Sequence, residues 1–183
     1  MSADAAGALV FTAGHGSRTG EELVRLVAEA RVARVADVRR FPHSRRHPQH
    51  DAVAMERSLA GAGVGYTWLG AELGGRVPET VAPERSRNAA WREPAFRRYA
   101  DRMATPRFRA AFAGLEALAR EAPLAVLCSE RLWWQCHRRL LADLFCVRGW
   151  RVVHLLEPAK TSVHQLTPWA RLVDGDLVYP SLI

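Results

Sequence analysis

The segment 128–139 holds the residues of this chain that are best suited to covalent chemistry. Cys128 follows a predicted strand and precedes a predicted helix, where backbone amides and the helix dipole can stabilise a thiolate. Cys136 is followed directly by an imidazole and a guanidinium, those of His137 and Arg138. This composition predicts a cysteine nucleophile, for which Cys136 is the first candidate and Cys128 the second.

Proton transfer at such a nucleophile is assigned to Glu130 or His137, which lie close to the thiols in sequence. A packing role for the second thiol is the alternative, because Cys136 and Leu140 share one face of a helix predicted over residues 132–147. Adjacent side chains on a helix point about 100° apart, so contact between Cys136 and His137 is not required by their spacing. Catalysis and packing are therefore both open for Cys136.

Metal ligands are present in type but not in a recognisable spacing. Cys128, Cys136, His137 and His154 could be assembled around an ion, but the chain has no Cys-x-x-Cys or His-Glu-x-x-His pattern. We therefore predict no metal and no other cofactor.

A strongly basic segment, 39–50, contains four arginines and three histidines and no acidic residue. So many neighbouring cations repel one another unless solvent or an anion offsets their charge. Arg39 and Arg45 within it are the candidates for holding an oxyanion, together with Arg92 and Arg138 later in the chain, and Ser44 is assigned to substrate binding. The segment predicts contact with a phosphate group or a nucleic acid, and a solvated basic loop is the alternative.

Alternating strand and helix patterns must position these residues. Apolar runs predict strands over 8–12, 32–38, 65–69, 124–127 and 151–155, and helical periodicity predicts helices over 21–30, 51–62, 94–103, from 106 onward, and over 132–147. This alternation is typical of an α/β fold with a mostly parallel sheet of about five strands flanked by helices, which we expect to form one domain over residues 1–183. Residues 169–180 resemble a β-hairpin with an Asp-Gly turn.

Polar residues follow the first two predicted strands, and ligands of open parallel sheets bind beyond the carboxyl ends of the strands. The first strand leads into Gly14-His15-Gly16-Ser17 and the second ends at Asp37. The glycines and Asp37 faintly resemble a dinucleotide-binding fingerprint. A tight turn in which His15 and Ser17 cap the next helix is the alternative. We assign His15 and Ser17 to substrate binding and Asp37 to catalysis.

Composition restricts the class of protein. The chain has 183 residues, a net charge of +7 and 49% hydrophobic residues, which excludes a disordered tail and a disulfide-stapled miniprotein. No apolar run approaches the roughly 20 residues of a membrane helix, and no secretory signal is evident. Three cysteines clustered late in the chain are expected to be thiols. These features predict a cytoplasmic protein with no membrane partner.

Five separated motifs occur in the order found in one bacterial protein family. They are Gly14-His-Gly-Ser17, Asp37-Val-Arg39 with Pro42 and Ser44, Asn88-x-x-Trp91-Arg92 with Phe96 and Tyr99-Ala-Asp101, Cys128-x-Glu130, and Cys136-His-Arg138. On these motifs the chain resembles, from about residue 10 to residue 157, the family catalogued as domain of unknown function 488. The resemblance implies a shared α/β domain and marks these polar positions as the site, Trp91 and Arg92 among them, without naming a reaction.

The function predicted from these observations is that of a cysteine-dependent hydrolase or transferase. Its substrate would bear a phosphate, as a nucleotide or a nucleic acid does, and DNA repair or processing falls within this class. A non-catalytic nucleic-acid or nucleotide-binding protein with structural cysteines is the alternative. In the enzyme, the side chains around the strand ends should converge in one cleft; they are those of His15, Asp37, Arg39, Glu130 and Arg138.

Overall fold

The computed structural model describes residues 8–43 and 47–181. Two candidate substrate-binding residues of the basic segment, Ser44 and Arg45, lie outside the described residues. Within the described residues the chain forms a six-stranded sheet, a separate two-stranded hairpin and helices.

Five parallel strands and one antiparallel strand form the main sheet. They are β1 (Leu9–Gly14), β2 (Arg34–Asp37), β3 (Gly65–Trp68), β4 (Leu124–Cys128), β5 (Arg151–Glu157) and β6 (Lys160–Val163). Their order across the sheet is β3-β2-β4-β1-β5-β6, and β6 runs antiparallel to β5. The predicted α/β fold is confirmed. β6 was not predicted, because most of its side chains are polar and give no apolar run.

Helices connect the parallel strands. They are α1 (Gly20–Glu29), α2 (Ala52–Ala60), α3 (Gly70–Leu73), α4 (Pro94–Met103), α5 (Pro106–Glu121) and α6 (Arg138–Val147), with single 3-10 turns at Pro48–His50, Pro83–Arg85 and Trp133–Gln135. The predicted start of the last helix at residue 132 is wrong. Residues 129–137 instead form a loop, which is hydrogen-bonded to the segment after β1 and to Arg138, and the helix begins at Arg138. No helix within residues 8–43 and 47–181 has both the length and the apolarity needed to cross a membrane.

The first helix is capped by Thr19 rather than by the residues expected from the sequence. The Thr19 hydroxyl accepts a hydrogen bond from the Glu22 amide at 3.1 Å, and the Glu22 carboxylate accepts one from the Thr19 amide at 2.8 Å. This reciprocal arrangement is a capping box. The alternative prediction that His15 and Ser17 cap this helix is therefore wrong, and both residues belong to the preceding loop.

Side chains of the central strands alternate between two cores. Val10 and Val126 belong to the core formed with α4, α5 and α6, whereas Ala13 and Leu127 belong to the core formed with α1 and α2. This alternation is the period-two pattern of a sheet that is covered on both faces. β4 is buried along its whole length.

The C-terminal hairpin has the predicted turn. Its strands are β7 (Arg171–Val173) and β8 (Asp176–Val178), joined by Asp174 and Gly175. Both turn residues have positive φ, 53° and 82°, which suits a tight two-residue hairpin turn.

The carboxyl ends of three strands lie side by side and define the candidate site. In the register of the sheet, Gly14 at the end of β1 pairs with Cys128 at the end of β4. Asp37 at the end of β2 pairs with Leu127 on the other side of β4. Cys128 therefore lies between the ends of β1 and β2, next to the loops that follow them.

Candidate functional site

Two thiols and one imidazole meet at the end of β4. The Sγ of Cys128 lies 3.9 Å from the Nδ1 of His137, and the Sγ of Cys136 lies 3.6 Å from the same nitrogen. All three atoms lie within 4.8 Å of one another. We call Cys128, Cys136 and His137 the thiol cluster. β4 positions the first thiol, and the turn before α6 positions the other two side chains.

The two thiols of the cluster differ in acidity. Burial opposes ionisation of Cys136, but a hydrogen bond from Cys128 and the positive charge of Arg138 outweigh it and lower the Cys136 pKa to about 6. The same hydrogen bond, together with burial, raises the pKa of Cys128 to about 12. The cluster thus combines a thiolate at Cys136 with a thiol donor at Cys128 near neutral pH.

Packing around His137 leaves no room for a side chain at residue 75. The ring of His137 lies 4.9 Å, centroid to centroid, from the ring of Tyr99, whose hydroxyl donates to the carbonyl of Leu73 at 2.7 Å. A Cβ atom on Gly75 would lie 2.9 Å from the Nδ1 of His137. The glycine therefore keeps the thiol-facing nitrogen of His137 clear of protein atoms on that side.

A buried arginine joins the thiol cluster to the loop after β1. Arg138 is 1% exposed, and its guanidinium donates to the carbonyl of Glu130. A Cβ atom on Gly14 would lie 2.7 Å from the Nη2 of Arg138 and would also clash with the Glu130 carbonyl, so the close approach requires glycine. Arg138 thus fixes the 129–137 loop and supplies positive charge next to Cys136.

Backbone hydrogen bonds continue between β1 and β4 beyond the strands. The amide of His15 donates to the carbonyl of Cys128 at 3.0 Å, and the amide of Gly16 donates to the carbonyl of Ser129 at 2.8 Å. The predicted neighbours His15, Glu130 and Arg138 are therefore brought together. The Glu130 side chain is exposed, and it is the Glu130 carbonyl oxygen that Arg138 contacts.

A second polar cluster occupies the end of β2. The Asp37 carboxylate is fully buried and accepts hydrogen bonds from the Arg39 amide at 2.9 Å, the Arg39 guanidinium at 2.6 Å and the Tyr66 hydroxyl at 2.7 Å. These contacts favour an anchoring role for Asp37 over the catalytic role suggested by the sequence. They also engage Arg39 in an internal ion pair, which favours a structural role over the predicted oxyanion contact.

Two histidines stack beside this ion pair. The rings of His15 and His50 are 4.1 Å apart, and the Nη1 of Arg39 donates to the His50 carbonyl at 2.7 Å. Burial is the main reason that the His15 pKa falls to about 4, and the charges of His50 and Arg39 lower it further. His15 is therefore neutral near pH 7. The sequence pointed to His50 only as part of a basic loop, whereas the structure buries it.

Three predicted site residues are engaged elsewhere or exposed. Trp91 packs edge-on against Phe96, Trp169 and Tyr179, in a cluster that includes the segments on either side of the hairpin. The Arg92 and Ser17 side chains are exposed. The structure therefore brings the thiols together with His137 and Arg138 and leaves Trp91 in a packing position.

A buried chain of polar side chains was not predicted from the sequence. The imidazoles of His154 and His164 are hydrogen-bonded at 2.9 Å, and Asp143 binds the His164 ring at 2.8 Å and the Tyr179 hydroxyl at 2.9 Å. Trp133 stacks on His154 at 4.1 Å. These hydrogen-bonded side chains therefore support the 129–137 loop through the contact of Trp133 with His154. They are scattered over residues 143–179, so no local spacing could have revealed them.

A cleft of about 620 Å³ lies on the other side of the segment 70–77. This segment contributes Ala71 and Val77 to the cleft, whereas its Gly75 faces His137. The cleft has a mostly apolar wall, an ion pair between Arg102 and Glu72 at 2.9 Å, and two further arginines, Arg40 and Arg107. Its size and composition suit a ligand with an apolar part and an anionic part.

Comparison with known proteins identifies the family. A family model described as "Domain of unknown function DUF488" matches residues 19–145, a stretch that includes Asp37 and the whole thiol cluster. No curated protein and no solved structure matches the chain. The matched stretch covers the larger part of the 183 residues. The chain therefore belongs to the DUF488 family.

Proposed function

We propose that this protein is a cysteine-dependent hydrolase or transferase that acts on a phosphate-bearing substrate, with Cys136 as the nucleophile. The observation that carries the proposal is the meeting of Cys128, Cys136 and His137 within 4.8 Å at the carboxyl end of a central strand. Nucleophilic cysteines need a proton acceptor within reach and a local environment that favours the thiolate. His137 supplies the acceptor, and Cys128 and Arg138 supply the environment.

The covalent step follows from these roles. Cys136 reacts as the thiolate, with its proton held by His137, and the Sγ lone pair forms a bond to the electrophilic atom of the substrate. The bond from that atom to the leaving group breaks, and the leaving group departs with the electron pair and takes the proton from His137. A hydrolase would then transfer the bound group to water, and a transferase would transfer it to a second acceptor or retain it.

A phosphate-bearing substrate is supported by the distribution of positive charge. The chain carries a net charge of +7, built from 25 arginines and one lysine. Arginine binds phosphate oxygens through two parallel hydrogen bonds, which lysine cannot do. Arg40 and Arg107 line the cleft beside the segment 70–77, together with Arg102, which is paired with Glu72.

Alkylation with iodoacetamide tests the nucleophile. Reduced protein treated with a chelator is labelled near pH 7, and the modified cysteine is located by peptide mass spectrometry. We expect rapid labelling of Cys136 and loss of the rapid phase in Cys136→Ser, with little change in melting temperature because oxygen replaces sulfur at similar volume. Cys146→Ser is the matched control, and it should retain the rapid phase.

Two results would overturn the nucleophile. One is that neither Cys128 nor Cys136 reacts until the protein is denatured. The other is that Cys136→Ser unfolds the protein while wild-type Cys136 stays unlabelled, which would make it a core residue. Substrate class is tested separately by incubating wild-type protein with nucleotides and oligonucleotides and measuring released phosphate and the intact mass. Turnover or an adduct should depend on Cys136.

The alternative is a non-catalytic binder of nucleotides or nucleic acids, and the arginine-lined cleft favours it. If the protein binds a polyanion through several phosphates, affinity should fall steeply with salt, by about 0.9 in log K per log salt for each duplex phosphate neutralised. Arg40→Ala combined with Arg107→Ala should flatten that slope. A binding activity that survives Cys136→Ser, without any turnover by the wild type, would favour this alternative over the enzyme.

Free thiols also lead us to propose a cytoplasmic location. Cys128, Cys136 and Cys146 are all unpaired in the structure. Thiols persist where glutathione and thioredoxin keep the compartment reducing, and secreted proteins tend to pair them. Fractionation of cells with an antibody to the protein tests this proposal, and recovery of the protein outside the cytoplasm would contradict it.

A further inference from the structure

We propose that Cys128, Cys136 and His137 form a binding site for a thiophilic divalent cation, with Zn²⁺ as the best-suited ion and one coordination position left for solvent or substrate. This inference does not rest on the proposed function, although it involves the same thiol cluster. It stands on three observations: the spacing of the donor atoms, their chemical type, and the space beside them.

The spacing of the donor atoms matches that of ligands around a tetrahedral ion. Zinc bonds of about 2.3 Å to sulfur and about 2.0 Å to nitrogen, at a tetrahedral angle, place the two ligand atoms about 3.6 Å apart. The Nδ1 of His137 lies 3.6 Å from the Sγ of Cys136 and 3.9 Å from the Sγ of Cys128. Both sulfur–nitrogen distances therefore lie within about 0.3 Å of the separation that a shared ion requires, and the three donor atoms all lie within 4.8 Å of one another.

The chemical type of the donors selects the ion. Two thiolates and one imidazole favour zinc and other thiophilic metals over Mg²⁺ or Ca²⁺, which prefer oxygen ligands. Cys₂His with an open fourth position is a ligand set of zinc sites that bind a water or a substrate. Binding releases the thiol protons, and two thiolates then balance the charge of the ion. Both cysteines are at most 5% exposed, and an unbalanced charge is costly at a buried site, so this charge balance favours binding.

A glycine packs against the donor nitrogen of His137. A Cβ atom on Gly75 would lie 2.9 Å from the Nδ1 of His137, so any larger residue would crowd this donor nitrogen. Gly75 is not required by a positive φ. Its lack of a side chain is therefore explained by the access that it leaves to His137.

Metal binding and nucleophilic attack exclude each other at Cys136. A thiolate whose lone pair is donated to an ion is a poor nucleophile. Iodoacetamide should therefore alkylate the metal-free protein, and a bound ion should suppress the reactivity of Cys136. The two proposals can be separated, because metal binding is measured directly and alkylation is measured on the metal-free protein.

The test uses Co²⁺ as a spectroscopic substitute for Zn²⁺. Metal-free, reduced, full-length protein is titrated with Co²⁺, and we expect thiolate-to-cobalt charge-transfer absorption that saturates at one ion per chain and disappears when Zn²⁺ is added. Cys128→Ser and Cys136→Ser should each lose most of this absorption. Cys146→Ser, which removes a thiol outside the cluster, should retain it.

A pair of glycine variants tests the steric argument without removing a ligand. Gly75→Ala should weaken Co²⁺ affinity by roughly 10- to 100-fold, the range found when the surroundings of metal ligands are altered. Gly114→Ala is the matched control, because a Cβ there meets no atom within 4 Å, and its affinity should equal that of the wild type.

Protection of the wild-type thiols gives a readout that needs no variant. Zn²⁺ at one equivalent should slow alkylation of Cys128 and Cys136 while leaving Cys146 as reactive as before. The proposal is overturned if Co²⁺ gives no charge-transfer absorption with fully reduced protein, or if Zn²⁺ leaves alkylation of both cluster thiols unchanged. If metal-free Cys136 is alkylated rapidly in that same experiment, the proposal that Cys136 is a nucleophile is still supported even when the metal-site proposal fails.

Discussion

The Sγ of Cys136 lies 3.6 Å from the Nδ1 of His137, the residue that follows it in the chain. Cys136 has extended backbone angles (φ −128°, ψ 150°), whereas His137 has helical ones (φ −57°, ψ −15°) and precedes the first residue of α6. The bend between them turns two consecutive side chains toward each other, which two adjacent positions within a helix cannot do. Thiol and imidazole are therefore paired by local backbone geometry.

The pH dependence of alkylation should report the acidity of Cys136. In metal-free protein we expect the rapid labelling rate to be half-maximal near the Cys136 pKa of about 6 and to fall at lower pH as the thiolate is protonated. Cys128→Ala removes the thiol that donates to Cys136 and should move the midpoint to higher pH. The measurement is the rate of iodoacetamide labelling between pH 5 and pH 9, values that span the expected change. A midpoint that Cys128→Ala lowers would contradict the hydrogen-bonding scheme.

Buried neutral histidines should make the fold sensitive to acid. Burial lowers the His154 pKa to about 2, with His164 and Arg138 contributing, and the His15 pKa falls to about 4. Both imidazoles are protonated in the unfolded chain below about pH 6.5, but not in the native protein. The unfolded state then binds more protons, so stability is complete above pH 6.5 and is lost as the pH falls.

The size of this acid sensitivity can be measured by urea unfolding at several pH values. Each such histidine should cost up to about 1.4 kcal/mol of unfolding free energy per pH unit below about 6.5, so two should give up to about 2.8. His15→Asn removes one of the two groups and should reduce the slope between pH 6 and pH 4.5, values that lie between its two pKa values. A stability that does not change from pH 7 to pH 4.5 would contradict the neutral buried state.

Loss of the Asp37 charge should destabilise the protein strongly. Asp37→Asn leaves the buried Arg39 guanidinium without its counter-ion, and breaking a buried pair costs about 3–5 kcal/mol. Asp174→Asn is a matched control, because Asp174 is 89% exposed and its pairing with Arg87 is 3.9 Å long, so it should change stability by less than about 0.5 kcal/mol. Urea unfolding measures both changes. Equal effects would contradict an anchoring role for Asp37.

A methyl group at residue 14 should disturb the thiol cluster from a distance. Gly14→Ala would place a Cβ against the Glu130 carbonyl and within 2.7 Å of the Arg138 guanidinium, so the 129–137 loop must shift. We expect slower labelling of Cys136 together with a lower melting temperature. Gly61→Ala is the control, because its nearest neighbours would lie at 3.5 Å or more. Unchanged labelling in Gly14→Ala would show that Arg138 does not set the reactivity of Cys136.

The sequence was sufficient to predict the parallel strands, because runs such as Leu124 to Leu127 are apolar and short and alternate with helical periodicity. It also singled out Cys128, from its place after a strand, and Cys136 and His137, which stand next to each other and to Arg138; the structure brings these three side chains together. The roles of Asp37 and Arg39 could not be predicted, because a polar residue at a strand end has the same appearance whether it faces a ligand or a buried partner. Tyr66, which partners Asp37, is 29 residues away from it.

The position of Cys136 shows a second limit of prediction from the sequence, which concerns where a helix begins. Periodicity extended the last helix back to residue 132, since Trp133, Cys136 and Leu140 fit one helical face. In the structure the helix begins at Arg138, and the Trp133 ring is instead stacked on His154. Partners so distant in sequence decide where the helix begins, and a local pattern cannot contain that information.

The strand order has a consequence for any attempt to express the family-matched stretch alone. Residues 19–145 include β2, β3 and β4 but exclude β1 and β5, although β1 lies between β4 and β5 in the sheet. A fragment cut at these limits would leave one side of β4 with unpaired amides and carbonyls along an apolar strand. Such an edge is a template for intermolecular pairing, so the fragment should aggregate where the full chain does not.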